Sequence, residues 1–259
     1  MLSFIDCHLS LKKCSPFNGG KFEGWGTSFC WWPNRIGYLD ELSEQAAKLF
    51  FDPKEGLGLN IIRYNIGGGD DPTHHHITRT DSMVPGYAIN PSHDANGYHW
   101  SYDWNADQNQ RNVLMKVAEC YGKDLIVEGF SNSPPYFMTN SGCSSGSVNA
   151  GENNLREDAY GAFASYLADV AQHFSKEWGI HFQSMTAMNE PDTEYWHALS
   201  DKQEGCHFDP GESQSVMIIA LREALDERGL NDILISGTDE TGINCQINSI
   251  NSLSEVARE

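Results

Sequence analysis

Glu190 lies in Met188-Asn189-Glu190-Pro191, directly after an apolar run that reads as a β-strand. A side chain at the C-terminal end of a parallel barrel strand points into the mouth, where that architecture gathers its catalytic groups. A carboxyl partly stripped of water and close to a second carboxylate holds its proton to higher pH, which suits a general acid. Cleavage of a glycosidic bond needs such an acid, with a second carboxyl group flanking the bond. The neighbouring Asn189 offers an amide able to hold a sugar hydroxyl. Alone, Asn-Glu-Pro is equally a turn or a helix start, so its meaning depends on the elements around it.

Those elements alternate. Strands are predicted at Phe22–Phe29, Leu59–Ile66, Asp124–Phe130, Phe182–Met188 and Ile233–Gly237, several nearly continuous in apolar or small residues, as parallel strands covered on both faces are. Helices are predicted at Tyr38–Phe51, Ala106–Tyr121, Glu157–Trp178 and Glu212–Arg228, with a further helix opening at Ile250–Glu259. Val113, Leu114, Val117 and Ala118 keep helical spacing in the second of these, and Val216, Ile219, Ala220 and Leu225 in the fourth. The alternation predicts an α/β fold with right-handed crossovers. The long polar connections, 70–105, 131–156 and 191–211, all follow strand ends, while the returns from helix to strand are short. A TIM-type (β/α)₈ barrel with its site at the C-terminal strand face has that asymmetry.

Composition excludes several functions. Acidic residues number 36 against 17 basic, a formal charge of −19, which argues against nucleic acid and against an anionic membrane surface but not against a neutral glycan. No GxGxxG or GxxxxGK[ST] follows a strand, and Gly67-Gly68-Gly69 reads as a turn. No apolar run of about 18 residues exists, so no membrane span is expected. The opening Met1 to His8 lacks a charged segment followed by an apolar one, so no secretory signal is read there. The seven cysteines are scattered without a C-x-x-C pair, which speaks against a zinc site of the usual kind. Their odd number leaves at least one thiol free in a monomer, and a disulfide between Cys143 and Cys206 stays open. Three consecutive residues, His74-His75-His76, cannot all face one ion, and no acidic–histidine companion is read at i+4 spacing, so no metal is expected.

The ordered segments carry a resemblance. Phe22-Glu-Gly-Trp-Gly-Thr-Ser-Phe-Cys-Trp-Trp, Asn60-Ile-Ile-Arg-Tyr-Asn-Ile-Gly-Gly-Gly-Asp, Val127-Glu-Gly-Phe-Ser-Asn-Ser-Pro-Pro-Tyr-Phe-Met-Thr-Asn-Ser-Gly, Met188-Asn-Glu-Pro and Ile235-Ser-Gly-Thr-Asp-Glu follow one another over about residues 17–250. Together they resemble glycoside hydrolase family 30, in particular its endo-β-1,6-galactanase-like branch. The resemblance implies a (β/α)₈ barrel with a side β-sandwich and an enzyme working outside the cytoplasm. It implies cleavage with retention of configuration, no metal or organic cofactor, and a polysaccharide or oligosaccharide as partner. Glu190 would be the acid/base with Asn189 beside it, and Arg63 would contact the sugar and the carboxylates rather than form a buried ion pair alone. Glucosylceramidases of the family carry a tryptophan where this chain has Ser131 or Asn132, which favours the galactanase-like branch; a xylanase, β-1,6-glucanase or glucosylceramidase activity is the alternative, as is a non-catalytic glycan-binding fragment.

The nucleophilic glutamate of this superfamily ends the seventh strand. The five predicted strands start about 53 residues apart, generous beside the roughly 31 of a minimal barrel, so the nucleophile is expected at roughly residue 280 or later. The expectation is therefore a short, poorly defined N-terminal extension (1–16) followed by the first five β/α units of a barrel (17–259), incomplete as it stands and unstable or inactive by itself. Asp239 and Glu240, after the fifth strand, are expected to bind substrate or support structure rather than act as nucleophile, with Glu240 placed among the substrate contacts. Ser131 and Asn132 join it there. Trp25, Trp31, Trp32 and Trp100 are candidates to stack on sugar rings, Trp31 and Trp32 above all because they follow the first strand. Glu128 is expected to face inward.

Overall fold

The computed structural model describes residues 22–259; the expected extension 1–16, with Cys7 and Cys14, lies outside them. In chain order the elements are β1 (Gly26–Ser28), α1 (Trp32–Ile36), α2 (Asp40–Phe51), β2 (Ile61–Asn65), β3 (Ala88–Asp94), β4 (Gly97–Tyr102) and α3 (Gln108–Tyr121). There follow β5 (Ile126–Phe130), α4 (Tyr160–Trp178), β6 (Ser184–Thr186), α5 (Glu212–Glu227), β7 (Leu234–Ile235), α6 (Ile243–Ser252) and α7 (Glu255–Arg258). Five strands form one parallel sheet in the order β1-β2-β5-β6-β7, with helices between consecutive strands. These are successive βα units of a TIM-type barrel.

Helix sequences show why they form where they do. In α2, Asp40 and Glu41 occupy the first turn and Lys48 the last, complementing the helix dipole, while Ser43, Ala46, Ala47 and Phe51 form the buried face. In α4, Phe163, Leu167, Val170, Ala171 and Phe174 are buried, and Gly179 at φ 67° ends the helix in the left-handed conformation. α3 buries Val113, Leu114 and Val117, as its spacing predicts. α5 differs: Met217, Ile218, Leu221, Ala224 and Leu225 are buried while Val216 is exposed, so the inward stripe is rotated from the predicted one.

Register between the strands sets the interior. Ser28 pairs with Arg63, Arg63 with Glu128 and Glu128 with Ser184, one row across β1, β2, β5 and β6. Residues in one row of a parallel sheet share a face. Two steps further along lies the row of Asn65, Phe130 and Thr186 on that same face. Between them, Tyr64, Gly129 and Met185 point to the other side, where Tyr64 and Phe182 meet Phe174 of α4 with ring centroids 5.1 Å apart in each case. Phe130 apart, polar groups thus line the barrel axis and aromatic groups the helix layer.

Several elements depart from expectation. The long connection 70–105 contains the β3–β4 hairpin, whose turn Asp94-Ala95-Asn96-Gly97 carries the Asn-Gly pair typical of such turns. A short helix, α1, begins at Trp32 with Pro33 in its first turn, where proline's missing N–H costs nothing. The C-terminal helix starts at Ile243 rather than Ile250 and stops at Ser252; a second helix begins after Ser254, whose hydroxyl accepts from the Ala257 N–H. Cys143 and Cys206 are both buried free thiols, so no disulfide joins them. Cys206 donates to the His207 carbonyl, and burial pushes its thiol up to about 12.

Candidate active site

The inward row and the strand ends above it converge on Arg63. Its guanidinium lies 3.4 Å from the centroid of the Phe130 ring, which pins the plane of the fork. From there Nε faces Glu128 Oε1 at 3.3 Å, Nη2 donates to Asn189 Oδ1 at 3.0 Å, and Nη2 also donates to Asp239 Oδ2. Glu128 is held from the other side by the hydroxyls of Ser184 and Ser236, at 2.9 and 2.5 Å. One cation therefore bridges carboxylates from the third and fifth strands of the sheet and orients the amide beside Glu190. Burial raises the Asp239 carboxyl above its ordinary value; the Arg63 charge pulls it down, and Glu128 and Glu190 push it up again.

Glu190 lies at the start of the loop after β6. Its backbone N–H donates to the Asp239 carbonyl at 2.9 Å, tying the two strand ends together. Both residues sit in the left-handed region, Glu190 at φ 49° and Asp239 at φ 47°, a conformation uncommon for residues other than glycine. The Glu190 carbonyl is locked by Thr193 Oγ1 at 2.7 Å and Trp196 Nε1 at 3.1 Å. Among the described residues its carboxylate accepts one hydrogen bond, from the Tyr195 hydroxyl to Oε2 at 2.5 Å. The carboxyl is thus fixed by its backbone and by one exposed phenol, a geometry suited to handing a proton to a bound oxygen.

The predicted residues separate into two groups. Arg63, Asn189 and Glu190 come together. Glu240 does not join them: its oxygens accept from Asp192 N–H, Gln214 Nε2 and Ser249 Oγ, so it ties helices to the loop after β6 while Asp239 reaches the mouth. Ser131 is fully buried and its hydroxyl donates to the Ser133 carbonyl, stabilising its own turn. Asn132 is buried, its side chain against the Cys30 thiol. Trp32 is edge-on to Phe29 and Phe50 and donates to the Ser28 carbonyl, which makes it a packing residue between β1 and α2. Trp31 is buried beneath the Arg79 guanidinium, 4.9 Å from its ring centroid. Trp100 packs against Tyr102 and Phe137, and Trp25 is exposed beside Phe22. Glu128 faces inward as expected.

Sequence reasoning missed Tyr195 and Trp196. Their signal was present: an adjacent aromatic pair five and six residues after Glu190, in a loop otherwise rich in acidic and polar residues. The rings meet edge to face at 4.6 Å, and Tyr195 remains half exposed, so one ring anchors the loop and the other is presented to solvent next to the carboxylate.

Comparison with known proteins agrees with this geometry. The model of O-glycosyl hydrolase family 30 matches residues 21–249. An endo-β-1,6-galactanase from Hypocrea rufa is 38% identical over 243 residues, covering 86% of this chain and 48% of that protein. An exo-β-1,6-galactobiohydrolase from Bifidobacterium longum subsp. longum is 26% identical over 340 residues, 95% of this chain and 22% of that protein. The catalytic domain of the GH30 xylanase C from Talaromyces cellulolyticus superposes with a TM-score of 0.65 at 20% identity, covering 88% of this chain and 48% of that one, and shares its fold. The chain spans about half the length of the galactanase it matches, or less in the case of the galactobiohydrolase. With the matched segment embracing every strand of the parallel sheet and Glu190 at the end of the fourth, the chain belongs to O-glycosyl hydrolase family 30.

Proposed function

We propose that this chain forms the acid/base half of a retaining, endo-acting glycoside hydrolase that cleaves β-1,6-linked galactan, such as the side chains of arabinogalactan. The observation that carries the reading is the Glu190 carboxylate at the end of the fourth parallel strand, held by Tyr195, with Asn189 oriented beside it by Arg63. In the retaining mechanism Glu190 protonates the departing glycosidic oxygen and then, as base, activates the water that releases the sugar from the nucleophile. The nucleophile of that mechanism is a second carboxyl group flanking the bond. Asp239 is committed to Arg63 and neighbours Glu190 on the next strand, a place for positioning rather than attack. The substrate assignment rests on the identity to the Hypocrea rufa galactanase.

The test is release of reducing ends by the full-length protein from β-1,6-galactan, β-1,3-galactan and xylan. Glu190→Gln is expected to lower turnover on the preferred glycan by about 10²–10⁴-fold, the usual contribution of a general acid/base, and least on substrates with good leaving groups. Unchanged rates across all substrates refute the assignment. The β-1,6 linkage also appears in the name of the Bifidobacterium longum relative, which supports an exo-acting alternative; a ladder of oligomers indicates endo cleavage and accumulation of disaccharide alone indicates exo cleavage.

A further inference from the structure

We propose that Asp70, His74, His76 and Cys143 form a structural site for one tetrahedral divalent transition metal, zinc by preference. The four offer a carboxylate oxygen, two imidazole nitrogens and a thiol sulfur, all within 4.8 Å of one another. They come from two loops at strand ends: the three former residues from the loop after β2, Cys143 from the loop after β5.

Local spacing conceals the cluster without excluding it. Asp70 and His74 do stand at i and i+4. Alternation along the loop turns His74 and His76 to one side and leaves His75 exposed on the other, so two of the three histidines share a focus. The remaining ligand is 67 residues from His76 in sequence and invisible to any local motif.

The hydrogen bonds around the cluster point to a cation. A neutral imidazole carries one N–H. His76 Nδ1 lies 2.5 Å from the Ser200 carbonyl and uses that proton there, which aims the Nε2 lone pair at Asp70 Oδ2, 2.6 Å away, and at Cys143 Sγ, 3.4 Å away. Lone pairs facing each other so closely repel unless positive charge, either a bound cation or a second ring proton, lies between them. A backbone carbonyl on the far nitrogen is also the partner that metal-bound histidines adopt, fixing the tautomer for ligation. The Leu199 N–H, at 3.4 Å, points at Cys143 Sγ and stabilises a thiolate, while the Ser144 N–H donates to Asp70 Oδ1 at 3.0 Å. Cys143 is buried and the other three half-buried. One carboxylate, one thiolate and two neutral imidazoles balance a dication, and binding expels the Cys143 thiol proton to solvent.

The donor set of sulfur, nitrogen and oxygen selects zinc over magnesium or calcium, and four protein ligands leave no open position, which marks a structural rather than a catalytic site. Through Leu199 and Ser200 the site also grips the loop that begins at Glu190. A metal here would staple the loops after β2, β5 and β6 beside a cavity of about 630 Å³ lined by Asp70, His74, His76 and Glu204, a place separate from Glu190.

The experiment is metal analysis of the untagged full-length protein, followed by chelation and titration with Zn²⁺ and Co²⁺. One zinc per chain is expected. Co²⁺ should give tetrahedral visible bands and a thiolate-to-cobalt charge-transfer band in the near ultraviolet. Cys143→Ser should lose the charge-transfer band and His76→Ala should weaken zinc by more than the roughly 10–100-fold that loss of an outer partner costs, whereas His75→Ala should bind as the unaltered protein does. Should the substituted proteins fail to fold, the cobalt spectrum and the chelator-dependent fall in melting temperature of the unaltered protein decide. Absence of stoichiometric metal together with no cobalt spectrum, as a doubly protonated His76 paired with Asp70 would give, overturns the proposal. Zinc retained equally by the Cys143 and His76 variants overturns it as well.

Discussion

Replacing Arg63 tests whether one guanidinium organises the mouth. Arg63→Met keeps an apolar side chain over Phe130 but removes the contacts to Glu128, Asn189 and Asp239. Breaking a fully buried ion pair by removing one partner costs about 3–5 kcal/mol, while an exposed pair is worth up to about 1 kcal/mol. The Arg63 and Glu128 side chains are 23% and 22% exposed and that of Asp239 42%, so solvent screens part of the loss. An intermediate cost of about 2 kcal/mol at neutral pH follows. The deficit should depend on pH. Burial already raises the Asp239 carboxyl, Arg63 opposes this, and Glu128 and Glu190 reinforce it. Without the guanidinium its folded value rises further above the unfolded value of about 3.9. A carboxyl so raised favours the folded state fully only below the unfolded value, and that contribution fades as pH climbs through the folded one. The variant should therefore approach the unaltered protein near pH 4, with a deficit under about 1 kcal/mol, and fall behind it by pH 7. Arg63→Lys keeps the charge without the fork and should lose about half as much at pH 7. Urea unfolding of the full-length protein, followed by tryptophan fluorescence at both pH values, measures this. Equal deficits at pH 4 and pH 7, or a lysine variant as impaired as the methionine one, would show that charge compensation by Arg63 is not what holds the site.

Other perturbations probe neighbouring features. Tyr195→Phe removes the 2.5 Å hydrogen bond to Glu190 Oε2 and should lower kcat/KM on the preferred glycan by roughly tenfold, the lower end for a bond to a charged group; an unchanged rate would mean the carboxylate is oriented by its backbone alone. Asp107 is buried, bonded by Tyr64 and Gln110, and raised by burial to about 7. Between its unfolded value and about pH 7 the folded state holds the extra proton, so this group makes stability fall with rising pH by up to about 1.4 kcal/mol per unit. Asp107→Asn should flatten that part of a melting-temperature profile, and parallel profiles would sink the idea. Gly205→Ala would place a Cβ 2.1 Å from Trp196 Cε3, and Trp196 holds the Glu190 carbonyl. A loss of about 1–3 kcal/mol is expected from such overpacking, together with slower turnover; a melting temperature equal to that of the unaltered protein would show that the ring yields freely.

Much of the scaffold was legible because it is periodic. Apolar runs marked the five parallel strands, and helical spacing marked the buried face of α3. Glu190, Asn189 and Arg63 were legible because a polar residue at the end of an apolar strand has few places to point. What escaped depends on tertiary partners. Whether Asp239 or Glu240 turns to the mouth is decided by the left-handed backbone at Asp239 and by three donors waiting for Glu240 in the loop after β6 and in α5 and α6. Trp31 and Trp32 read as sugar platforms, yet Arg79 covers one and Phe29 and Phe50 claim the other. The β3–β4 hairpin lay hidden because Pro91 interrupts its first strand, although the Asn-Gly turn was in plain sight.

The left-handed backbone at Glu190 and Asp239 has a bearing on how such a protein drifts under selection. A non-glycine residue held there costs the fold on the order of 1 kcal/mol or more, and here two such residues brace each other through a single main-chain hydrogen bond. Selection for heat resistance alone would reward glycine or asparagine at both places, and each such gain would erase a carboxylate from the mouth. Acidic side chains at these strained positions are therefore a cost that chemistry, not stability, would justify, and a lineage freed from selection on that chemistry would be expected to lose them early.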